Sequence, residues 1–200
     1  VRIMYLYVKN ITKQGGKMSK KILILGAGYA GIHAANKLCK KYKKDASVEI
    51  TLVDKKPYHT LMTDLHEVAG GRIDSSGVKV NLKKLFKYKK VKCAVDEINS
   101  IDFENQKLIS SDSEYSYDYL IIGTGAEPCF FGIEGAKENS FTLWSLEDAK
   151  KLKSHIKNMF EKAQTIKDEK KRKTLLTFSI AGAGFTGVEF VGELAEWKDK

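Results

Sequence analysis

The chain has 200 residues, of which 42% are hydrophobic and 30% are charged, a balance typical of a globular protein and not of a disordered or fibrous one. No apolar run approaches the roughly 18 to 20 residues that a membrane-spanning helix needs. The formal net charge is +10, and the three cysteines, Cys39, Cys93 and Cys129, are too widely spaced to indicate a disulfide framework or a metal site.

The first predicted element is a strand, helix and strand unit. Met18 stands directly before the first strand pattern, so we predict that residues 1–17 form an extension outside the core. The apolar run Ile22–Leu25 predicts a strand, which a glycine-rich turn and an amphipathic helix follow. A second apolar stretch, Val48–Val53, ends at Asp54. This order predicts two parallel strands with a right-handed crossover.

The next stretch begins with a loop at Pro57 and contains short elements with a hairpin turn at Asn105. The predicted helices cover Asp64–Val68 and Leu82–Tyr88, and the predicted strands cover Val91–Val95, Ile98–Phe103, Lys107–Ser110 and Asp118–Ile122. The last of these strands runs into a second glycine-rich stretch.

The final third of the chain repeats the order of the first unit. Ser145 and Asp148 form a capping-box pattern that predicts the start of a helix continuing to about Ala163. The apolar run Leu175–Ala181 predicts a buried strand, and a further glycine turn leads into a helix over Thr186–Trp197. Strand, glycine turn and helix therefore occur twice, which predicts an α/β fold with two Rossmann-like units.

The first glycine turn has the GxGxxG spacing of dinucleotide-binding turns and consists of Gly26-Ala27-Gly28-Tyr29-Ala30-Gly31. In such turns the first glycine permits the tight bend, the second lets backbone approach a pyrophosphate, and the third lets helix and strand pack closely. Asp54 stands at the end of the second strand, where a carboxylate accepts hydrogen bonds from ribose hydroxyls. The alternative is that these glycines are ordinary turn residues and that Asp54 caps the strand end.

The second glycine turn has the same spacing and consists of Gly182-Ala183-Gly184-Phe185-Thr186-Gly187. It lies about 156 positions after the first turn, again between a predicted strand and a predicted helix. Two such turns suggest two dinucleotides held face to face, as hydride transfer between a flavin and a nicotinamide requires. The alternative is a coincidental second turn.

Taken together, these motifs resemble those of the two-dinucleotide-binding-domain flavoproteins and, within them, the type II NADH dehydrogenases, or NADH:quinone oxidoreductases. The resemblance extends from about Lys20 to Trp197. Besides the glycine turns, it is carried by Thr51–Lys55, Tyr58-His59, Leu65–Gly71, Asp118–Ala126, Phe141–Ala149 and Val188–Leu194. It implies a Rossmann-like FAD-binding domain over residues 18–140 and the beginning of a Rossmann-like NAD(H)-binding domain over residues 141–200.

The resemblance also implies which residues bind the cofactors. For FAD they are Gly26, Ala27, Gly28, Tyr29, Ala30 and Gly31 at the pyrophosphate, Asp54 and its neighbour Lys55 at the ribose, Val95 or Ala94 at the adenine, and Thr124 and Gly125 at the second flavin-contacting strand. For NADH they are Gly182, Gly184 and Gly187. Glu189 matches a catalytic family acid near the nicotinamide and the flavin, although the helix dipole favours an acid in a first helical turn whatever the function.

Other residues limit the chemistry. The disulfide reductases of this superfamily carry a cysteine pair shortly after the first unit, and residues 55–71 contain no cysteine, so dithiol chemistry is disfavoured. Cys129 is interpreted as a plain buried thiol and not as a redox relay. His59 and His66 have no acid or nucleophile at catalytic spacing, and we interpret His59 as structural or flavin-proximal.

The positive charge is concentrated in three runs, 2–21, 83–92 and 150–173, and nearly all of it is lysine. Nucleic-acid binding favours arginine with aromatic residues interleaved on one face. We therefore predict no nucleic-acid partner. The alternatives left open are a solvated lysine-rich surface and attraction to an anionic membrane face.

The function implied by the resemblance is a non-proton-pumping oxidoreductase that passes hydride from NADH to FAD and then electrons to a quinone. The full-length protein is expected to be peripheral to the cytoplasmic face of the cell membrane, and a homodimer is compatible with the resemblance. One alternative is another FAD/NAD(P)H oxidoreductase with an oxygen, ferredoxin or metal-linked acceptor. The other is a non-catalytic dinucleotide-binding fragment, because we expect the NADH-domain ribose acid and the quinone residues to lie beyond Lys200. Without that acid, the choice between NADH and NADPH stays open.

Overall fold

The computed structural model describes residues 5–8 and 19–198. The chain divides into two compact units: unit 1 comprises residues 1–59 and 80–126, and unit 2 comprises residues 60–79 and 127–200. The division differs from the predicted boundary at residue 140, because residues 60–79 and 127–140 cluster with the helices of unit 2.

Most of the strands lie in unit 1, whereas the regular structure of unit 2 is mainly helical. In chain order the strands are β1 (Tyr5–Val8), β2 (Lys20–Leu25), β3 (Val48–Asp54), β4 (Tyr58–Thr60), β5 (Lys79–Asn81), β6 (Lys92–Val95), β7 (Ile98–Asp102), β8 (Lys107–Ser110), β9 (Glu114–Ser116) and β10 (Tyr119–Ile122). The helices are α1 (Tyr29–Lys41), α2 (Leu65–Ala69), α3 (Leu82–Leu85), α4 (Leu146–Thr165), α5 (Glu169–Leu175) and α6 (Phe185–Lys198), with a 3-10 turn over Met62–Asp64.

Unit 1 is built on a five-stranded sheet in the order β1-β10-β2-β3-β6. The strands β10, β2, β3 and β6 are parallel, and β1 is antiparallel to β10. Because α1 connects the parallel neighbours β2 and β3, the predicted strand, helix and strand unit and the α/β fold class are confirmed. The strands β7, β8 and β9 form a separate antiparallel sheet.

The two faces of the parallel sheet bury different clusters. Along β2, Ile22 and Ile24 pack in the cluster that contains Ala35 of α1, whereas Leu23 packs in the cluster that contains Leu108 of β8. Side chains alternate between faces along a strand, so a continuous apolar run is what a strand covered on both sides needs. The central position of β2 fixes where its carboxyl end, and the turn that follows it, can lie.

The edge strand β1 lies within the stretch that the sequence analysis set apart as an extension. It pairs with β10, with Leu6 opposite Ile121. An edge strand needs only backbone hydrogen bonds to one neighbour, and hydropathy does not reveal such a pairing. The other residues of that stretch lie outside the described part of the chain.

Unit 2 contains the helices α2, α4, α5 and α6. The predicted capping box of α4 is confirmed: Ser145 Oγ accepts a hydrogen bond from the N–H of Asp148 at 3.1 Å, and Asp148 Oδ2 accepts one from the N–H of Ser145 at 3.0 Å. The apolar side of α4 is buried through Leu146, Ala149 and Ile156. Among the described residues, no helix combines the length and the apolar character needed to cross a membrane.

The prediction of a buried strand over Leu175–Ala181 is wrong. Leu175 ends α5, residues 177–181 belong to no helix or strand, and Leu176 and Ile180 are exposed. A strand is defined by a hydrogen-bonded neighbour, and no described strand of unit 2 pairs with this segment. The apolar character of this segment therefore does not by itself produce a strand.

The capping box predicts a measurable contribution to stability. Replacing Ser145 by alanine leaves the N–H of Asp148 without its acceptor, so we expect the free energy of unfolding to fall by about 1 kcal/mol. Ser154 lies in the middle of the same helix and is exposed. Ser154→Ala is the matched control and should raise stability by about 0.3 kcal/mol through helix propensity. Urea unfolding followed by circular dichroism measures both changes, and equal effects at the two sites would contradict the assignment.

Candidate functional site

The first glycine turn joins β2 to α1 in a conformation that two of its glycines make possible. Gly26 has φ +99°, in the left-handed region that side chains rarely adopt, and its N–H donates to Val53 O at 2.8 Å. A Cβ added at Gly31 would overlap the carbonyl oxygen of Gly26. The helix therefore crosses the strand end so closely that only glycine fits at this position.

The middle glycine of this turn has a different environment. Gly28 is the N-cap of α1, has φ −70°, and a Cβ added there would meet only Gly123 O, at an ordinary 3.9 Å. The space beside the Gly28 Cα atom is therefore not filled by other protein atoms. The first turn of α1 contains no acidic residue, and no side chain forms a hydrogen bond at the N-cap. A helix amino end of this kind favours an anionic group such as a pyrophosphate.

Two side chains fix the backbone of Ala27 between these glycines. The N–H of Ala27 donates to Asp54 Oδ2 at 2.6 Å, and the carbonyl oxygen of Ala27 lies 2.8 Å from His59 Nδ1. Because a carbonyl oxygen can only accept, His59 must carry its proton on Nδ1 in this contact. His59 is 6% exposed and its ring packs edge-on against Tyr29 at a centroid distance of 4.7 Å. The geometry is that of a structural histidine supporting the turn.

Asp54 has a structural role that does not exclude a binding role. Its second oxygen, Oδ1, accepts from the N–H of Lys56 at 2.8 Å, so the carboxylate joins the strand end to the glycine turn. Each carboxylate oxygen can accept more than one hydrogen bond, and the residue is half-buried, not enclosed. The predicted ribose acid thus lies beside the predicted pyrophosphate turn.

The remaining predicted FAD residues lie at the carboxyl ends of neighbouring parallel strands. Val95 ends β6 directly beside Asp54 and is 48% exposed. Thr124 and Gly125 follow β10 and are exposed. Lys55 points to an exposed ion pair with Glu97 at 3.3 Å. Ligands in open α/β sheets bind outside the carboxyl ends of the strands, so unit 1 brings these predicted residues to one edge.

Gly123 belongs to this edge and was missed as a site residue. It is buried, its N–H donates to Leu25 O at 2.7 Å, and a Cβ added at Gly26 would overlap its carbonyl oxygen. The signal was present in the sequence, because a glycine follows β10 just as a glycine follows β2.

The second glycine turn repeats the backbone geometry of the first. Gly182 has φ +107°, and a Cβ added at Gly187 would overlap the carbonyl oxygen of Gly182. The N–H of Val188 donates to Gly184 O at 3.1 Å, as the N–H of Ile32 donates to Gly28 O at 3.0 Å in the first turn. A Cβ added at Gly184 would meet nothing within 4 Å. The internal repeat is therefore a repeat of conformation as well as of sequence.

The predicted catalytic acid, Glu189, lies just after the first turn of α6, which contains no acidic residue, and faces His66 of α2. Its Oε2 lies 3.5 Å from His66 Nδ1, and its side chain is 47% exposed. At this distance the carboxylate can form an ion pair with the imidazole when the ring is protonated. The half-exposed carboxylate also contacts solvent. His66, for which the sequence shows no acid at catalytic spacing, is thus paired with Glu189, more than a hundred positions later.

A second contact, between α6 and the residues that follow α2, was not visible in the sequence. Arg72 Nη2 lies 2.8 Å from Glu67 Oε1 and 2.8 Å from Glu193 Oε1, and the Glu193 side chain is only 8% exposed. A Cβ added at Gly70 would overlap the side chain of Glu193, so the two helices approach closely here. These residues are far apart in sequence, and no local spacing predicts the pair.

The three cysteines are free thiols. Cys39 is buried, and burial raises the pKa of the half-buried Cys93 thiol. The prediction that Cys129 is buried is wrong: it lies in the irregular chain after Pro128 and is exposed. No group of three or more metal-ligating side chains occurs in residues 5–8 and 19–198.

Comparison with known proteins places this geometry in a family. Residues 20–200 match the family described as pyridine nucleotide-disulphide oxidoreductase. The type II NADH:quinone oxidoreductase of Staphylococcus haemolyticus is 38% identical over 179 residues, which cover 88% of this chain and 43% of that protein. The enzyme of the same name from Staphylococcus aureus strain NCTC 8325 is 36% identical over 177 residues, with the same coverage. The chain thus spans less than half the length of these relatives.

Solved structures show the same fold. NDH2 from Plasmodium falciparum in complex with NADH has a TM-score of 0.77 at 24% identity, covering 91% of this chain and 38% of that one. The sulfide:quinone oxidoreductase from Aquifex aeolicus has a TM-score of 0.62 at 26% identity, covering 71% of this chain and 32% of that one.

The two kinds of glycine in the first turn predict losses of stability of very different size for the same substitution. Gly31→Ala forces the new Cβ into Gly26 O, so we expect the free energy of unfolding to fall by at least about 3 kcal/mol. Gly28→Ala places its Cβ in open space and should cost only about 0.5 to 1 kcal/mol, the loss of a good N-cap residue. Thermal and urea unfolding measure the difference. A Gly31→Ala chain as stable as Gly28→Ala would show that the helix and strand do not pack as described.

The buried carboxylate of Glu193 predicts a compensating pair of mutations. Arg72→Met removes its ion-pair partner and should destabilise the chain by about 2 to 4 kcal/mol. Adding Glu193→Gln removes the stranded charge, so the double variant is expected to be more stable than Arg72→Met alone. Urea unfolding of the two single variants and the double variant gives the coupling free energy, and strictly additive effects would refute the contact.

Proposed function

Since the chain belongs to the pyridine nucleotide-disulphide oxidoreductase family, we propose that it carries the FAD-binding unit and the first part of the NADH-binding unit of an NADH:quinone oxidoreductase. The proposal is supported most directly by the two glycine turns, which share a left-handed first glycine, a close approach of the third glycine to the first and the same first helical hydrogen bond. One turn alone would fit many nucleotide-binding proteins. Two turns in one chain fit an enzyme that brings a nicotinamide and a flavin together.

In unit 1 the residues present fit FAD. Gly28 leaves open space at the amino end of α1 for a pyrophosphate, with no acidic side chain in the first helical turn to repel it. His59 and Asp54 hold Ala27, and so keep the turn in its binding conformation without any ligand. Asp54 retains acceptor capacity for ribose hydroxyls, and the exposed Val95 offers backbone beside it for an adenine. Thr124 and Gly125 complete this edge.

In unit 2 the second turn is proposed to bind NADH. Gly182, Gly184 and Gly187 supply the same bend, open approach and close packing as their counterparts in the first turn. Glu189 is proposed as the catalytic acid near the nicotinamide, and its half-exposed carboxylate is held by His66 on α2. When both cofactors are bound, they supply hydride transfer and storage of two electrons, while the chain supplies alignment and electrostatics.

The electron acceptor is proposed to be a quinone, without proton pumping. The staphylococcal relatives carry that acceptor in their names. The full-length protein is proposed to be peripheral to the cytoplasmic face of the membrane, with a homodimer as one oligomeric state. An oxygen or protein acceptor is the second candidate, since structural neighbours include a water-forming NADH oxidase and an NADH:rubredoxin oxidoreductase.

The proposal is tested by flavin spectroscopy on the purified chain. After reconstitution we expect bound-flavin absorbance near the visible bands of free FAD, bleaching of that absorbance by NADH without oxygen, and reoxidation by a soluble menaquinone analogue. A chain that binds no flavin and gives no NADH-dependent bleaching would support a non-catalytic fragment. Reoxidation by oxygen that a quinone does not accelerate would favour the second acceptor class.

Two matched glycine variants separate the two sites. Gly28→Ala and Gly184→Ala make the same chemical change in open space. The first should lose flavin, whereas the second should retain flavin and lose bleaching by NADH, with both chains remaining folded by circular dichroism. Identical phenotypes in the two variants would argue against separate FAD and NADH turns.

A further inference from the structure

Unit 1 carries a dense group of lysines that the proposed dehydrogenase activity does not use. It is formed by the end of α1 with the residues after it and by the loop that leads into β6. We call this surface the lysine face, and its members are Lys40, Lys41, Lys43, Lys44, Lys87, Lys89, Lys90 and Lys92. All of these except Lys90, which is half-buried, are exposed.

Hydrogen bonds join the two segments into one surface. Lys89 Nζ donates to Asn36 Oδ1 at 2.7 Å, and the N–H of Lys90 lies 3.3 Å from Cys39 Sγ. Lys90 Nζ also donates to the carbonyl oxygens of Tyr42 and Asp45. The loop before β6 is therefore held against the end of α1, and lysines far apart in sequence become neighbours.

Few acids compensate this charge. Asp45 is engaged by Ser47, whose hydroxyl and N–H lower the pKa of its carboxyl group, with smaller contributions from Lys90 and Lys20. Glu49 lies 3.9 Å from Lys92 Nζ. The segment between Lys83 and Lys92 contains no acid. A solvated surface normally mixes both signs, because like charges in one patch repel each other.

Aromatic side chains lie among these lysines. Tyr88 is 90% exposed, and Lys87 Nζ lies 5.2 Å from the centroid of its ring. Tyr42 is half-buried, with Lys41 Nζ 5.4 Å from its ring. Tyrosine is enriched where one end of a side chain meets an apolar medium and the other meets water, and lysine beside it suits an anionic interface.

The lysine face and the FAD turn lie at opposite ends of the parallel strands. The lysine segments precede β3 and β6, and Lys20 at the start of β2 donates its N–H to Ser47 O at 2.6 Å. The glycine turn follows the carboxyl end of β2. A partner on the lysine face would therefore leave the dinucleotide edge of unit 1 open.

We propose that the lysine face is a docking surface for the headgroups of anionic phospholipids, with Tyr88 entering the headgroup layer. Clustered lysines beside an exposed aromatic match that surface, and the absence of arginine from both segments disfavours readout of nucleic acid. The inference rests on the peripheral membrane location proposed above and names the surface and the lipid chemistry responsible, but it needs neither dinucleotide. Failure of lipid binding would leave the dehydrogenase proposal untouched, and failure of flavin binding would leave this one untouched.

The test is sedimentation of the chain with vesicles of phosphatidylcholine alone and with about a third phosphatidylglycerol, at low and high salt. We expect binding only to the anionic vesicles and its loss at about 0.5 M salt, where charges are screened within a few ångströms. Replacing Lys40, Lys43, Lys44 and Lys87 together by glutamine should weaken binding at least about 30-fold. Tyr88→Ala should weaken it at least about threefold at unchanged net charge.

The matched control removes the same amount of charge from unit 2. Four exposed lysines are replaced by glutamine: Lys150, Lys151, Lys170 and Lys171. This control should retain binding within about threefold, and a Lys-to-Arg version of the lysine-face variant should retain it too. Equal loss in the unit 2 control would overturn the proposal in favour of net charge alone. No binding to anionic vesicles at low salt, or tighter binding to duplex DNA than to those vesicles, would overturn it as well.

Discussion

The start of α1 packs against the end of β2 without room for a side chain, and the edge that carries the predicted FAD residues depends on this contact. Gly31 lies against the carbonyl oxygen of Gly26 with no room for a side chain, while Gly26 in turn lies against Gly123 at the end of β10. Three glycines thus bring a helix amino end and two strand ends into backbone contact. This contact aims the amide groups of α1 at the space above the sheet edge, where an anionic ligand gains from the helix dipole.

The turn is also held in place by side chains that the sheet itself supplies. Asp54 comes from the neighbouring strand β3, and His59 comes from the short strand that follows it, so Ala27 is fixed from both its N–H and its carbonyl group. Such preorganisation matters because a flexible turn would have to lose conformational entropy when it bound a pyrophosphate. Because the strands are parallel, two groups of residues lie at opposite ends of them. The glycines and a carboxylate lie at the carboxyl ends, and the lysines lie at the amino ends.

Much of this could be predicted because it is local. The two glycine turns, the acid at the end of β3 and the capping box of α4 are recorded in spacings of a few residues, and the structure confirms the conformation of each. What could not be predicted is non-local. The pairing of β1 with β10 and the bridge from Arg72 to Glu193 depend on residues more than a hundred positions apart, which no periodicity relates.

The second glycine turn shows that a short sequence motif can determine the conformation of a turn without a paired strand before it. The segment before it, over residues 177–181, pairs with no described strand, yet the turn has the same left-handed glycine, the same close approach of Gly187 to Gly182 and the same first helical hydrogen bond as its counterpart. The sheet is therefore not what bends the chain at Gly182. Backbone freedom at the first glycine and the steric need for glycine at the third are enough, since both act within six residues. A GxGxxG motif thus encodes the helix amino end that receives a phosphate, whereas the sheet that places this helix in a binding domain is encoded elsewhere in a chain.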